Sequence, residues 1–316
     1  MKILNLLYST LSLLLKLSFL LVIAFIIYIF IPIKTTQTVT LPKGSITKTI
    51  NHLKEQGYNL NSIDTYILAY LLKQPKSGTL IIGGESMSRI KFLQKLSSAK
   101  EAIDVITLIP GETKEIFLEE LAKKEHLNLK DLKKYYSEFS SYEEAGIIPD
   151  TYHLAKNSDA KSIMKILIEQ SEKRYSEISI KHLKKYNKQE WLRVLTIASI
   201  VQKEAANSEE MPIIASVIYN RLKIDMALQM DGTLNYGKYS HIKVTPKRIK
   251  EDKSGFNTYA NKGLPPYPIC SVSISAISAT LNPAKSNYLY FMRNKEGVHD
   301  FTNSYKKHLE NINRTK

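Results

Sequence analysis

The chain opens on a charge-free apolar run, Leu17 to Ile33 (LSFLLVIAFIIYIFIPI), with a second apolar stretch, Ile3 to Leu15, just before it. Only Lys16 separates the two, and a lysine near a helix end can snorkel to the interface. The pattern predicts one N-terminal transmembrane helix over 17–33, with residues 1–16 as a pre-anchor segment. No small-x-small cleavage motif follows the run, which ends in Pro32 and Lys34, so a retained anchor is expected in place of a cleaved signal peptide. From 35 to 125 the pattern shortens to β-prone runs, each followed by a Gly-containing turn, a Ser or Thr, and apolar residues at helical spacing: VTLPKGSITKTINHL, LIIGGESMSRIKFLQKL and ITLIPGETKEIFLEELAKK. These read as small βα units, either a repeat or the ordinary turn usage of an α+β domain. Residues 126–190 are lysine-rich and helix-prone, with Ile163, Ile166, Leu167 and Gln170 at helical spacing, and are expected to form a helical connector. From Trp191 to the end, apolar positions become denser, and Asn, Gly, Pro and Tyr cluster in Gln229–Tyr239 and Ser254–Pro268. Long polar loops on a helical scaffold are where sites are built, so the chemistry is to be sought in 191–316. The fold class expected is therefore α+β: an anchor helix, a small βα domain, and a mainly helical domain with long polar loops.

Charge narrows the partners. Among 316 residues, 45 Lys+Arg against 30 Asp+Glu give +15, and only seven of the basic residues are Arg. Lysine is a hydrated point charge and not a planar fork, so the excess indicates generic attraction to an anionic lipid surface or polymer. No recognition helix joins a basic face to base-reading residues, and nucleic acid is not an expected partner. No acidic residue precedes Glu55, so +3 belongs to the anchor segment through Lys34 and +12 to the rest. Charges on either side of the anchor are too balanced to set its topology.

Cofactor chemistry finds little support. The seven histidines form no His-Glu-x-x-His or other close ligand pair, and a single cysteine, Cys270, excludes an intramolecular disulfide framework and a thiolate zinc site. No metal is expected. Neither a phosphate-cradling Gly-x-x-x-x-Gly-Lys loop nor a Gly-x-Gly-x-x-Gly fingerprint occurs, and no cofactor is expected. Cys270 reads as a small buried side chain.

The most informative element is WLRVLTIASIVQKEAAN. Trp191, Val194, Leu195, Ile197, Ala198, Ile200 and Val201 turn nearly two helix faces inward, and Glu204 follows Val201, Ile200 and Ile197 by three, four and seven residues. A carboxylate on that face would be desolvated, its pKa raised, and its proton available to a general acid. The alternative is an ion pair with a basic neighbour at the helix end. A second helix is expected to open at Ser208 or Glu209 and to tolerate Pro212 in its first turn. Downstream, QMDGT and FNTYANKGLPPYPI bring amides, hydroxyls and aromatic rings together, the chemistry a sugar requires, although Asn and Gly also serve simply as turn formers.

In order along the chain, IIPDTY (147–152), ASIVQKEA (198–205), VIYNRLKIDMALQMDGTLNYG (217–237), FNTYANKGLPPYPI (256–269) and NYLYFMRNKEGVHDF (287–301), with His308 beyond, resemble the endolytic murein transglycosylase family, the YceG-like proteins. The resemblance implies an anchor, a LysM-like region, here about 80–125, and a catalytic domain outside the cytoplasmic (inner) membrane. It implies that Glu204 is the catalytic acid/base, since it stands at the last position of the family's Ser-Ile-Val-Glu-Lys-Glu motif. The first Glu of that motif is Gln202 here. The implied reaction is lytic cleavage of the β-1,4 bond between N-acetylmuramic acid and N-acetylglucosamine, with peptidoglycan strands as substrate and peptidoglycan synthases, the penicillin-binding proteins, as partners. Gln229, Asp231, Asn257, Tyr259 and His299 are the expected cleft-lining residues. The chain departs from the family where Ala145-Gly146 replaces Glu-Gly and where Ser271-Val272-Ser273 replaces Asn-Pro-Gly. A catalytically silent glycan-binding scaffold and a basic domain that only docks on anionic lipid are the rival readings.

Overall fold

The computed structural model describes residues 2–84 and 86–315. Its chain divides into two compact units, residues 1–104 with 153–157, and residues 105–152 with 158–316.

The first unit begins with α1 (Lys2–Phe30), whose Leu7–Phe30 portion is the one helix among the described residues long and apolar enough to cross a membrane. The helix extends further toward the N-terminus than the expected 17–33. It also stops sooner, because Pro32 cannot continue the ladder and Pro32–Lys34 instead forms β1, with Ile33 opposite Met87 of β4 (Ser86–Ser88). β2 (Thr38–Leu41) pairs antiparallel with β3 (Gly78–Ile81), Val39 facing Leu80. Between them lie α2 (Ile46–Glu55), capped by the Ser45 hydroxyl, and α3 (Ser62–Tyr66), which runs on into a π turn at Ile67–Leu71. Asn61 and Asp64 cap α3 reciprocally as a capping box. α4 (Arg89–Ser98) completes a core built on Leu53, Leu68, Leu80, Phe92 and Leu93.

β5 (Ile103–Thr107) pairs with β6 (Thr151–Ala155), and the division between the units falls inside both strands. All three expected strand–turn–helix segments form, but the third, β5 with α5 (Lys114–Lys124), has its helix in the second unit. There α5 is followed by α6 (Leu129–Phe139) and the long α7 (Ala160–Leu183). The buried side of α7 carries Ile163, Met164, Leu167, Ile168 and Tyr175, while Ile166 and Gln170, expected on it, are exposed. The centre of this unit is α8 (Lys188–Glu204), packed on α9 (Met211–Lys223) and, after the short α10 (Pro246–Glu251), on α11 (Ile274–Leu281). α9 starts later than expected because Asn207 Oδ1 accepts the Glu209 and Glu210 N–H groups, so that Glu210 becomes the residue before the helix. A hairpin of β7 (Tyr290–Arg293) and β8 (His299–Thr302), with Arg293 opposite His299, lies against α12 (Tyr305–Thr315).

Candidate active site at the end of the central helix

Glu204 is the last residue of α8, and the apolar periodicity behind it holds: Ile197, Ile200 and Val201 are all buried. The residue itself is part-exposed, opening on a cleft of about 200 Å³ lined by Glu204, Arg221, Gln229, Asp231, Tyr259, Phe291, Met292, Arg293 and His299. Its Oε1 accepts the Gly232 N–H at 2.7 Å, and among the described residues no hydrogen bond is formed to Oε2. Burial of the carboxyl pushes its pKa up to about 7. The Gly232 N–H and the Arg221 charge oppose that rise, and the Asp231 charge adds to it. A carboxylate at a helix C-terminus also faces the negative end of the helix dipole.

The turn that reaches Glu204 depends on a missing side chain. A Cβ on Gly232 would lie 2.7 Å from Lys203 Cβ and 2.8 Å from Glu204 Oε1, closer than real contacts allow. The turn, Asp231–Leu234, is fastened to the 256–259 loop by Met230 N–H donating to Thr258 Oγ1 (3.1 Å) and by the Thr233 and Thr258 hydroxyls 3.0 Å apart. Gln229, just before it, takes a left-handed φ of 48°, a strained conformation for a non-glycine residue, and its N–H donates to Thr258 O at 3.1 Å. Arg248 steadies the far end by donating to Leu234 O.

Of the residues expected to line the cleft, Gln229, Asp231, Tyr259 and His299 are brought to Glu204. The Tyr259 hydroxyl donates to Asp231 Oδ1 at 2.8 Å, and its own pKa is pushed far up by burial and by that carboxylate. His299 is held from behind: Glu210 Oε2 lies 2.7 Å from its Nδ1, and Glu210 Oε1 accepts its backbone N–H at 2.7 Å. Burial would raise Glu210, but the hydrogen bonds from His299 and Ala206 outweigh it and hold the carboxyl below its usual value. Asn257 is the exception. Fully buried, it donates to Ile249 O and Asp252 O, both at 2.8 Å, and accepts the Tyr259 N–H, so it shapes the loop without lining the cleft.

Arg221, Glu210, Gly232 and the β7 residues Phe291 to Arg293 were not singled out from sequence. Arg221 is buried on α9, donates to Leu289 O at 2.6 Å and to Leu228 O, and burial lowers its pKa. A signal existed: Arg221 continues the buried spacing of Ile214, Val217 and Ile218. Gln202, in the place of the motif's first Glu, accepts the Ser273 N–H at 3.1 Å ahead of α11. Cys270 is buried, and burial drives its thiol pKa upward.

The sequence matches the model of the YceG-like family over residues 39–314. The chain belongs to that family. Among curated relatives, the YceG-like chain is similar to the endolytic murein transglycosylase of Bacillus subtilis strain 168, 37% identical over 166 residues, which is 52% of this chain and 46% of the relative. It is also similar to the endolytic murein transglycosylase of Streptococcus pneumoniae serotype 2, 33% identical over 179 residues, 54% of this chain and 31% of that one. The matches thus span about half the length of one relative and a third of the other. The 2.6 Å crystal structure of a YceG-like protein from Listeria monocytogenes aligns with 88% of this chain and 99% of its own, at TM-score 0.58 and 27% identity.

Proposed function

We propose that this YceG-like chain is a membrane-anchored endolytic murein transglycosylase, with α1 in the cytoplasmic membrane and both units on the side where peptidoglycan is assembled. The observation that carries the reading is Glu204: a carboxyl with a pKa near 7, one oxygen fixed by a backbone N–H and the other without a hydrogen bond among the described residues, at a cleft rich in polar side chains.

The cleft binds the glycan around the bond from N-acetylmuramic acid to N-acetylglucosamine. Gln229, Asp231, Tyr259 and His299 supply hydrogen-bonding groups for sugar hydroxyls and amides, and the Tyr259 and Phe291 rings supply apolar faces. Protonated Glu204 delivers its proton from Oε2 to the glycosidic oxygen as the bond from the muramic acid C1 breaks. The muramic acid C6 hydroxyl oxygen attacks C1, and the Glu204 carboxylate takes the hydroxyl proton as the 1,6-anhydro ring closes. One carboxyl serves as acid and then as base, and no water enters, which distinguishes the scheme from hydrolysis by a carboxylate pair. The LysM-like reading of about 80–125 belongs to this proposal, supported by the strand–turn–helix order of β3 to α4 and of β5 to α5. So do the synthase partners. The +12 charge outside the anchor segment suits a polymer whose stem peptides carry carboxylates.

Digestion of purified sacculi by the full chain in detergent, followed by mass spectrometry, tests the proposal. Internal cleavage ending in 1,6-anhydromuramic acid is expected. Products with reducing muramic acid ends would identify a hydrolase instead. Sacculus binding without any product would identify a silent scaffold, and binding only to anionic vesicles a lipid-docking domain.

A further inference from the structure

In the first unit, four exposed apolar side chains fall on one short element. Ile63, Tyr66, Tyr70 and Leu71, on α3 and its π turn, are 46, 62, 80 and 66% exposed, while Asp64, Ile67 and Leu68 of the same element are buried. Tyr66 and Tyr70 stack one turn apart, with ring centroids 6.2 Å from each other. A face of this kind left in water forgoes the free energy of burying it.

The position of α3 is fixed by the end of α1. The Tyr28 hydroxyl lies 2.9 Å from both Asn61 Oδ1 and Asp64 Oδ2, the two residues that cap α3. Arg89, fully buried, donates to Asp64 at 2.7 Å and to Tyr28 at 3.0 Å, and its guanidinium sits 4.2 Å from the centre of the Tyr28 ring. Tyr28 is two residues from the end of the apolar Leu7–Phe30 segment, about 3 Å along the axis at the α-helical rise. An element bonded directly to Tyr28 therefore sits at the depth where α1 leaves hydrocarbon for headgroups. Tyrosine collects at that depth because its ring is apolar and its hydroxyl is wet. The charges agree. Between Asn61 and Lys76 the sole acidic residue is Asp64, buried against Arg89, while Lys73 and Lys76 are exposed beside the face and Lys34 is exposed just after α1. Exposed lysines flanking an apolar face suit anionic lipid headgroups.

We propose that this face of α3 is a membrane-interface surface: Ile63, Tyr66, Tyr70 and Leu71 lie among the headgroups of the bilayer that α1 enters. The first unit is then held to the membrane at two places, the spanning helix and the α3 face, with the Tyr28–Asp64–Arg89 cluster as the rigid joint between them. This rests on the membrane reading of α1 and not on the chemistry at Glu204.

Full-length chain reconstituted in phosphatidylcholine–phosphatidylglycerol vesicles containing brominated lipid tests it. Tryptophan is introduced singly at Tyr66, Tyr70, Phe19 in the middle of α1, and Ile180, an exposed position of α7 in the second unit; native Trp191 is fully buried and gives a constant background. Y66W and Y70W are expected to lose more than double the fluorescence that I180W loses, most strongly with bromine placed near the glycerol end of the acyl chain. F19W should be quenched best by bromine deep in the chain. Quenching of F19W with Y66W and Y70W no different from I180W overturns the α3 surface alone. An unquenched F19W overturns the membrane reading and this surface with it.

Discussion

Replacing Gly232 by alanine tests how Glu204, the proposed acid, is held. The added Cβ would meet Lys203 Cβ at 2.7 Å and Glu204 Oε1 at 2.8 Å, whereas carbon atoms settle at about 3.5–4.0 Å. The Asp231–Leu234 turn and the α8 terminus must separate by several tenths of an ångström or more, and the 2.7 Å hydrogen bond from Gly232 N–H to Glu204 opens. Hydrogen bonds to charged groups contribute about 1.5–3 kcal/mol. The bond stabilises the ionised carboxylate, so its loss raises the Glu204 pKa further above about 7. At 1.36 kcal/mol per pH unit, the alkaline limb of the rate profile, where the acid loses its proton, moves up by about one pH unit or more. Misplacement of a catalytic group on this scale also lowers kcat by about 10- to 100-fold. The assay is release of soluble muropeptides from sacculi across the pH range, with G255A as the control, since a Cβ there meets Pro266 at an ordinary 3.4 Å. G232A with the wild-type rate and an unmoved alkaline limb would refute the reasoning.

Three other substitutions address neighbouring parts of the account. D231N removes a negative charge that raises the Glu204 pKa, so the alkaline limb should move to lower pH, opposite to G232A; a shift upward contradicts the electrostatic assignment. E210Q removes the buried carboxylate behind His299. Because the native Glu210 pKa lies below its ordinary 4.5, its contribution to stability is present above that value and lost as pH falls through the lowered native one. Thermal unfolding should therefore show E210Q less stable than wild type at neutral pH, with the gap closing in acid; a gap independent of pH would exclude the linkage. R89M strands Asp64 without its partner and should destabilise the first unit by about 3–5 kcal/mol, with R89M/D64L recovering much of the loss. Unfolding of the full chain in micelles measures this, and R89M melting like wild type would show that the pair contributes little.

What could be read from the sequence was what repeats locally. Glu204 was accessible because Ile197, Ile200 and Val201 set its face within two helical turns. The strand–turn–helix segments were accessible because glycine and a hydroxyl residue mark each helix start. Contacts across long stretches of chain were not: Glu210 holds His299 from 89 residues away, and Arg221 bonds Leu289 from 68. Gly232 looked like a turn former in QMDGT. Its close approach to Glu204 follows only once the turn is folded back over the end of α8. Asn257 shows the reverse error, since an amide in a polar loop resembles a sugar ligand until both of its N–H donors and its oxygen are seen to be engaged by the neighbouring backbone. The end of α1 at Phe30 was not legible because hydrophobicity does not register where a backbone leaves a helix to form a strand.

The most direct measurement of the central claim is 1,6-anhydromuropeptide release from sacculi by the full chain with Glu204→Gln, which keeps the shape and the Gly232 contact but carries no titratable proton. Loss of product to background, with melting temperature and sacculus binding retained, is the expected result. Folded E204Q protein that still releases 1,6-anhydro products at a rate comparable to wild type would contradict the account.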